Sequence, residues 1–212
     1  MPTQIKICGL STPETVEVAI GAGASHIGLN FYPPSPRFVS EEQATRLAKV
    51  AGDKVSKVGV FVDADDAFLS KHVAAGALDV IQLHGKETPE RVAEVKARFG
   101  LPVWKVLSVE TAEDVALAAD YASVADFLLF DTKTPKGALP GGMGMGFDWS
   151  LLEAYGGALP WGLAGGLTPE NVAEAIRQTG TTLVDTSSGI ESAPGIKDVD
   201  LIARFCKAAL QA

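Results

Sequence analysis

The sequence predicts an α/β protein, a (β/α)8 TIM barrel in a single domain over residues 1–212. Three observations carry this expectation. Short apolar runs of strand length alternate from end to end with segments whose apolar residues recur near every 3.6 positions. The connections are short, and no linker or composition shift interrupts them. Eight repeats of the same strand–loop–helix unit favour a closed barrel over an open doubly wound sheet. With 212 residues, 47% of them hydrophobic, the chain can bury a substantial core. It is near the short limit for this fold, so its helices must be economical.

The strand candidates, in order, are Ile5–Cys8, Ile27–Phe31, Val58–Val62, Val80–His84, Val103–Leu107, Phe127–Asp131, Trp161–Ala164 and Leu183–Asp185. Helix starts are signed by Thr12-Pro13-Glu14, Thr88-Pro89-Glu90 and Thr168-Pro169-Glu170. Each offers a capping hydroxyl, a proline suited to the first turn and an acid facing the positive end of the helix dipole. Val172, Ala175 and Ile176 share one helical face, as do Ile202, Phe205, Cys206 and Ala209 in the last segment. The weakest unit follows Asp131, where a long glycine-rich loop leads to a short helix near Trp149–Tyr155.

Composition narrows the function classes. A formal charge of -8 argues against a nucleic-acid partner. It still permits an anionic small molecule, because backbone N–H groups bind phosphate locally. No apolar stretch is long enough to cross a bilayer and no export signal opens the chain, so a cytoplasmic protein without a membrane partner is expected. Cys8 and Cys206 have neither metal-ligand spacing nor a disulfide framework. Among three histidines only His84 ends a strand, which is a poor basis for a metal site.

Active sites of such barrels lie at the C-terminal ends of the strands. Strand alternation puts Cys8 on one face with Lys6, His84 with Gln82, and Asp131 with Leu129 and Phe127. If these faces point inward, Cys8, His84, Asp131 and Asp185 converge on one mouth. A thiol and a carboxyl group at strand ends suggest a base and an acid facing one substrate. The alternatives are a core cysteine for Cys8, as Cys206 is, and a capping aspartate for Asp131. Lys6 on the inner face calls for an internal ion pair or hydrogen-bond network, since an unpaired buried charge is costly. Gly165-Gly166 and Ser187-Ser188-Gly189, in the loops after strands seven and eight, form a candidate phosphate cradle. The bland alternative is that these glycines only permit tight turns.

The ordered motifs Lys6-Ile7-Cys8-Gly9-Leu10, Ser35-Pro36-Arg37, Gln82-Leu83-His84-Gly85 and Gly146-Phe147-Asp148-Trp149 resemble those of the phosphoribosylanthranilate isomerase family. Asp131, Gly165-Gly166, Asp185 through Glu191, Pro194-Gly195 and Lys197-Asp198 continue the likeness, which spans essentially the whole chain. The resemblance implies an Amadori rearrangement in tryptophan biosynthesis. N-(5-phosphoribosyl)anthranilate becomes 1-(2-carboxyphenylamino)-1-deoxyribulose 5-phosphate. It implies Asp131 as the acid that opens the furanose ring and Cys8 as the base that removes the C2′ proton. It implies no cofactor, a small phosphosugar-anthranilate as the partner, and a monomer or homodimer. Arg37 is then the partner of the anthranilate carboxylate, which a guanidinium grips in bidentate fashion. Asp185 accepts from the anthranilate amine, with a structural cap as its alternative. Gln82 and His84 either orient substrate or satisfy polar groups in the barrel.

The assignment makes a physical demand: a site that favours thiolate at Cys8 and a neutral carboxyl at Asp131. Met143 and Met145 stand where the family usually carries a small hydroxyl residue and often a basic one. Gly28-Leu29-Asn30-Phe31 has fewer apolar or aromatic residues than is common at its middle positions. These departures bear on affinity more than on reaction type. The rivals are a lysine-centred lyase or synthase such as indole-glycerol-phosphate synthase, using Lys6 or Lys105, a metal-dependent sugar-phosphate epimerase, and a noncatalytic phosphate-metabolite binder.

Overall fold

The computed structural model describes residues 3–133 and 147–212. Its strands are β1 (Gln4–Cys8), β2 (His26–Asn30), β3 (Ser56–Phe61), β4 (Val80–Leu83), β5 (Val103–Val109), β6 (Phe127–Thr132), β7 (Trp161–Leu163) and β8 (Leu183–Thr186). All eight run parallel and pair in sequence order, and β1 pairs back to β8, closing the barrel. The expected (β/α)8 architecture is present, with strand limits within two residues of those read from the sequence. Met143 and Met145, and the loop that carries them, lie outside the described residues.

Helices α1 (Pro13–Gly21), α2 (Glu41–Ala51), α3 (Asp66–Gly76), α4 (Pro89–Phe99), α5 (Ala112–Ala116), α6 (Val172–Thr179) and α7 (Val199–Leu210) surround the sheet. The hydroxyls of Thr12 and Thr88 accept from Thr15 N–H and Arg91 N–H, as their positions before proline suggested. Ser40 and Gln43 form a reciprocal capping box at α2. Thr168 does not cap a helix. Asn171 Oδ1 accepts from Thr168 N–H at 2.8 Å and its amide donates to Gly166 O at 2.9 Å, so residues 168–171 are held in a turn. Helix α6 starts only at Val172. Helices are most economical on one side: α5 has five residues before a 3-10 turn, and the unit after β6 supplies only the 3-10 segment Trp149–Ala154. No described helix is long and apolar enough to cross a membrane.

Alternation along the strands builds two apolar clusters. Residues such as Ile5, Ile7, Ile81, Leu128 and Phe130 pack outward against the helices. Val58, Val80, Trp104, Val106, Phe127, Leu129, Ala164 and Leu183 form a separate cluster that fills the barrel axis. This inner layer leaves the last inward positions of β1, β2, β4, β6 and β8 for polar groups at the C-terminal mouth, where Val60 and Ala164 are the apolar neighbours.

One polar residue lies deeper. His26 opens β2, its ring centroid lies 5.1 Å from that of Trp104 with the planes tilted at 55°, and it bonds through Nδ1 to Ser25 Oγ at 2.8 Å. Burial, reinforced by the positive charge of Lys6, lowers its pKa from 6.5 to about 4. The unfolded chain therefore takes up a proton at the ordinary value while the folded one stays neutral. Stability at His26 is complete above 6.5 and falls as pH drops toward 4, by at most about 3 kcal/mol. His26→Phe should remove this part of the acid slope. The check is urea unfolding of both proteins near pH 7 and near pH 4.5; equal acid losses would show that His26 charges without cost.

Candidate functional site

Every residue singled out for chemistry lines one cavity at the C-terminal mouth. Cys8, Arg37, Gln82, His84, Asp131 and Asp185 meet there with Gly165, Gly166, Ser187, Ser188 and Gly189. Asn30, Val60, Ala164, Leu167 and Thr186 complete its wall. The alternation argument explains the convergence: Cys8, Asp131 and Asp185 end or nearly end strands whose inward faces hold the axial core.

Lys6 and Asp185 are cross-strand partners at the β1–β8 seam, and Lys6 Nζ lies 2.8 Å from Asp185 Oδ2. Lys6 is fully buried. Among the described residues, Asp185 Oδ1 and Gln82 Oε1 are buried acceptors without a hydrogen-bond partner, although both side chains line the cavity. Such orphaned acceptors are expensive and mark places where a ligand donor completes the site. Further round the wall, Asp131 Oδ1 accepts from Thr132 N–H at 2.7 Å and Oδ2 lies 3.2 Å from His84 Nε2. His84 is thus in contact with the candidate acid. A Cβ at Gly165 would press on Thr132 and approach Asp131 Oδ1 to 2.8 Å, so glycine there makes room for the carboxylate.

Cys8 pairs across the sheet with Gly28, and a Cβ at Gly28 would meet Cys8 Sγ at 2.7 Å and its backbone Cα at 3.0 Å. The missing side chain at position 28 gives the thiol its place. Arg37 is engaged by an acid the sequence reading did not single out for a role: Nε and Nη2 donate to Glu191 Oε1 and Oε2 at 2.7 and 2.8 Å. Glu191 opens β9 (Glu191–Ala193), which forms a hairpin with β10 (Ile196–Lys197). The signal was present: an acid and a lysine flank Pro194-Gly195, the spacing of a tight hairpin.

The sequence profile described as N-(5'-phosphoribosyl)anthranilate (PRA) isomerase matches residues 5–208. An N-(5'-phosphoribosyl)anthranilate isomerase of Paramagnetospirillum magneticum is 55% identical over 210 residues, 99% of this chain and 98% of that protein. The crystal structure of phosphoribosyl anthranilate isomerase from Thermotoga maritima superposes with a TM-score of 0.89 at 36% identity, covering 99% of this chain and all of that one. A phosphoribosyl anthranilate isomerase in complex with reduced 1-(o-carboxyphenylamino)-1-deoxyribulose 5-phosphate gives 0.86 at 34% identity, over 99% and 100% of the two chains. This chain belongs to the phosphoribosylanthranilate isomerase family.

The electrostatics of this family member correct one expectation. The site does not favour thiolate: burial pushes the Cys8 thiol above its ordinary value. Lys6 pulls against that rise, Asp185 adds to it, and Lys197 again opposes it. Asp185 is also raised, by burial first, with Lys6 holding it back. The thiol is therefore neutral in the resting protein, and its conversion to thiolate is displaced to higher pH. Alkylation of Cys8 by iodoacetamide, followed by peptide mass spectrometry, should still accelerate above about pH 8.5, the ordinary thiol value. A rate that levels off by about pH 7.5 would show that the lysines outweigh burial.

Proposed function

We propose that Cys8 is the general base and Asp131 the general acid in the rearrangement that the chain catalyses. The chain is an isomerase of tryptophan biosynthesis, and its reaction converts N-(5-phosphoribosyl)anthranilate to 1-(2-carboxyphenylamino)-1-deoxyribulose 5-phosphate. The observation supporting the assignment is that the thiol on β1 and the carboxyl on β6 line the same cavity, with the glycine–serine loops at its edge.

Asp131 delivers a proton to the furanose ring oxygen as the C1′–O bond breaks, and the anthranilate nitrogen supplies the electron pair that forms the iminium ion. Cys8 then removes the C2′ proton, giving an enolamine that tautomerises to the ketone. The substrate's own nitrogen is the electron sink. His84, 3.2 Å from Asp131 Oδ2, orients the acid. Asp185 Oδ1 accepts the anthranilate N–H, which would satisfy a buried acceptor otherwise left alone among the described residues. Gln82 Oε1 is the second such acceptor and suits a sugar hydroxyl. Gly165, Gly166, Ser187, Ser188 and Gly189 receive the phosphate through backbone N–H groups and hydroxyls. Arg37 faces the anthranilate carboxylate.

The lysine-centred lyase fits less well. Lys6 is committed to Asp185. Lys105 points to the outer side of β5, where it binds Glu87 at 2.9 Å and Gly85 O at 2.7 Å, and it does not line the cavity.

Cys8→Ala and Asp131→Asn should each lower kcat by roughly 10²–10⁴-fold while leaving circular dichroism unchanged. The assay follows loss of anthranilate-type fluorescence from freshly prepared substrate. A variant that keeps kcat within about tenfold of the parent would lose its assigned role. Because the base must be deprotonated and its pKa is raised, kcat/KM of the parent enzyme should climb with pH through the alkaline side of neutrality.

A further inference from the structure

The β9–β10 hairpin lies outside the barrel, yet its two charged side chains are largely withdrawn from solvent. The side chains of Glu191 and Lys197 are 5% and 1% exposed, and neither residue lines the cavity. They stand opposite each other in the hairpin register, with Lys197 Nζ 2.7 Å from Glu191 Oε1. Each also reaches a different part of the site. Glu191 engages the Nε–Nη2 edge of Arg37. Lys197 Nζ donates to Ser187 O at 2.8 Å and to Ser187 Oγ at 3.1 Å.

The hairpin is fastened to the Arg37 loop by its own turn. Gly195 N–H donates to Glu191 Oε2 at 3.2 Å, and a Cβ at Gly195 would meet Pro36 O at 2.6 Å. Gly195 also has φ +82, a conformation that favours glycine. Burying an ion network contributes little net stability compared with apolar packing of the same volume. Its value here is geometric. Arg37 faces the end of the cavity assigned to the aryl carboxylate, and Ser187 the end assigned to the phosphate.

We propose that Glu191 and Lys197 are positioning residues that set the separation between the two anion-binding ends of the site, so that the enzyme selects a substrate carrying a carboxylate and a phosphate at one fixed span. Glu191 fixes the plane of the Arg37 guanidinium. Lys197 fixes the Ser187 peptide and hydroxyl. The ion pair between them links the two placements. This rests on the functional reading above and adds the element that makes the two ends act together.

The test compares one ligand that spans both ends with fragments that fill one end each. The spanning ligand is reduced 1-(o-carboxyphenylamino)-1-deoxyribulose 5-phosphate; the fragments are N-methylanthranilate and ribulose 5-phosphate. Competitive inhibition constants are measured for the parent enzyme and for Glu191→Gln. The readout is the affinity of the spanning ligand relative to the product of the two fragment affinities. In Glu191→Gln this ratio should fall at least about tenfold, because linking two binding events helps only when both sites are held at the matching distance. A simple change of charge or a looser fold would move fragment and whole-ligand affinities together and leave the ratio unchanged. An unchanged ratio overturns the proposal. If Glu191→Gln does not fold, Lys197→Met carries the same comparison with the same expectation. Turnover by the parent enzyme is measured first: its failure would refute the functional reading, whereas normal turnover with an unmoved ratio refutes only the positioning pair.

Discussion

Closure of the barrel between its first and last strands is the constraint on which the site depends. At that seam Lys6 and Asp185 face each other in register and form a buried ion pair at 2.8 Å. Removing either partner would leave the other charge uncompensated, at a cost of roughly 3–5 kcal/mol. The pair therefore belongs to the fold, but it also shapes the chemistry. It takes one oxygen of Asp185 and leaves the other as a buried acceptor at the cavity wall. It also places an ammonium beside the Cys8 thiol, opposing the rise that burial imposes on its pKa. One interaction thus closes the sheet, directs an acceptor and tempers the base.

The rest of the site follows from a division of labour along each strand. Apart from Lys6 and His26, lower inward positions are mostly apolar and pack into the axial cluster, while the upper ones carry a thiol, an amide and carboxylates. The dense lower layer fixes the strand ends, so the polar groups above it need little local support. Glycines leave space beside these groups: Gly28 for Cys8, and Gly165 for Thr132 and Asp131. Outside the barrel, the β9–β10 hairpin adds a second, largely buried ionic layer that ties Arg37 to Ser187.

Local signals read well where local physics decides. The caps at Thr12 and Thr88 form because the following proline presets the first helical turn and brings the hydroxyl onto its free N–H groups. Thr168 carries the same signature, but Asn171 reaches back to both Thr168 N–H and Gly166 O and diverts the chain into a turn. The thiolate expectation failed for a related reason. Charge partners could be guessed from sequence, whereas the desolvation that outweighs them depends on how completely the neighbouring strands close around residue 8.

By itself the sequence determined the barrel and the inward faces of the strands carrying Cys8, His84 and Asp131, and it picked out Cys8, Asp131, Arg37, Asp185 and the glycine–serine loops, which the structure brings around one cavity. These rest on a period of two along strands and on motifs whose order is legible in one dimension. Tertiary structure alone decided that Lys6 meets Asp185 across 179 positions, that Glu191 reaches back 154 positions to Arg37, and that His84 lies against Asp131. Sequence spacing carries no record of such distances, because closing a sheet on itself and folding a hairpin over its rim bring together residues that no local periodicity relates.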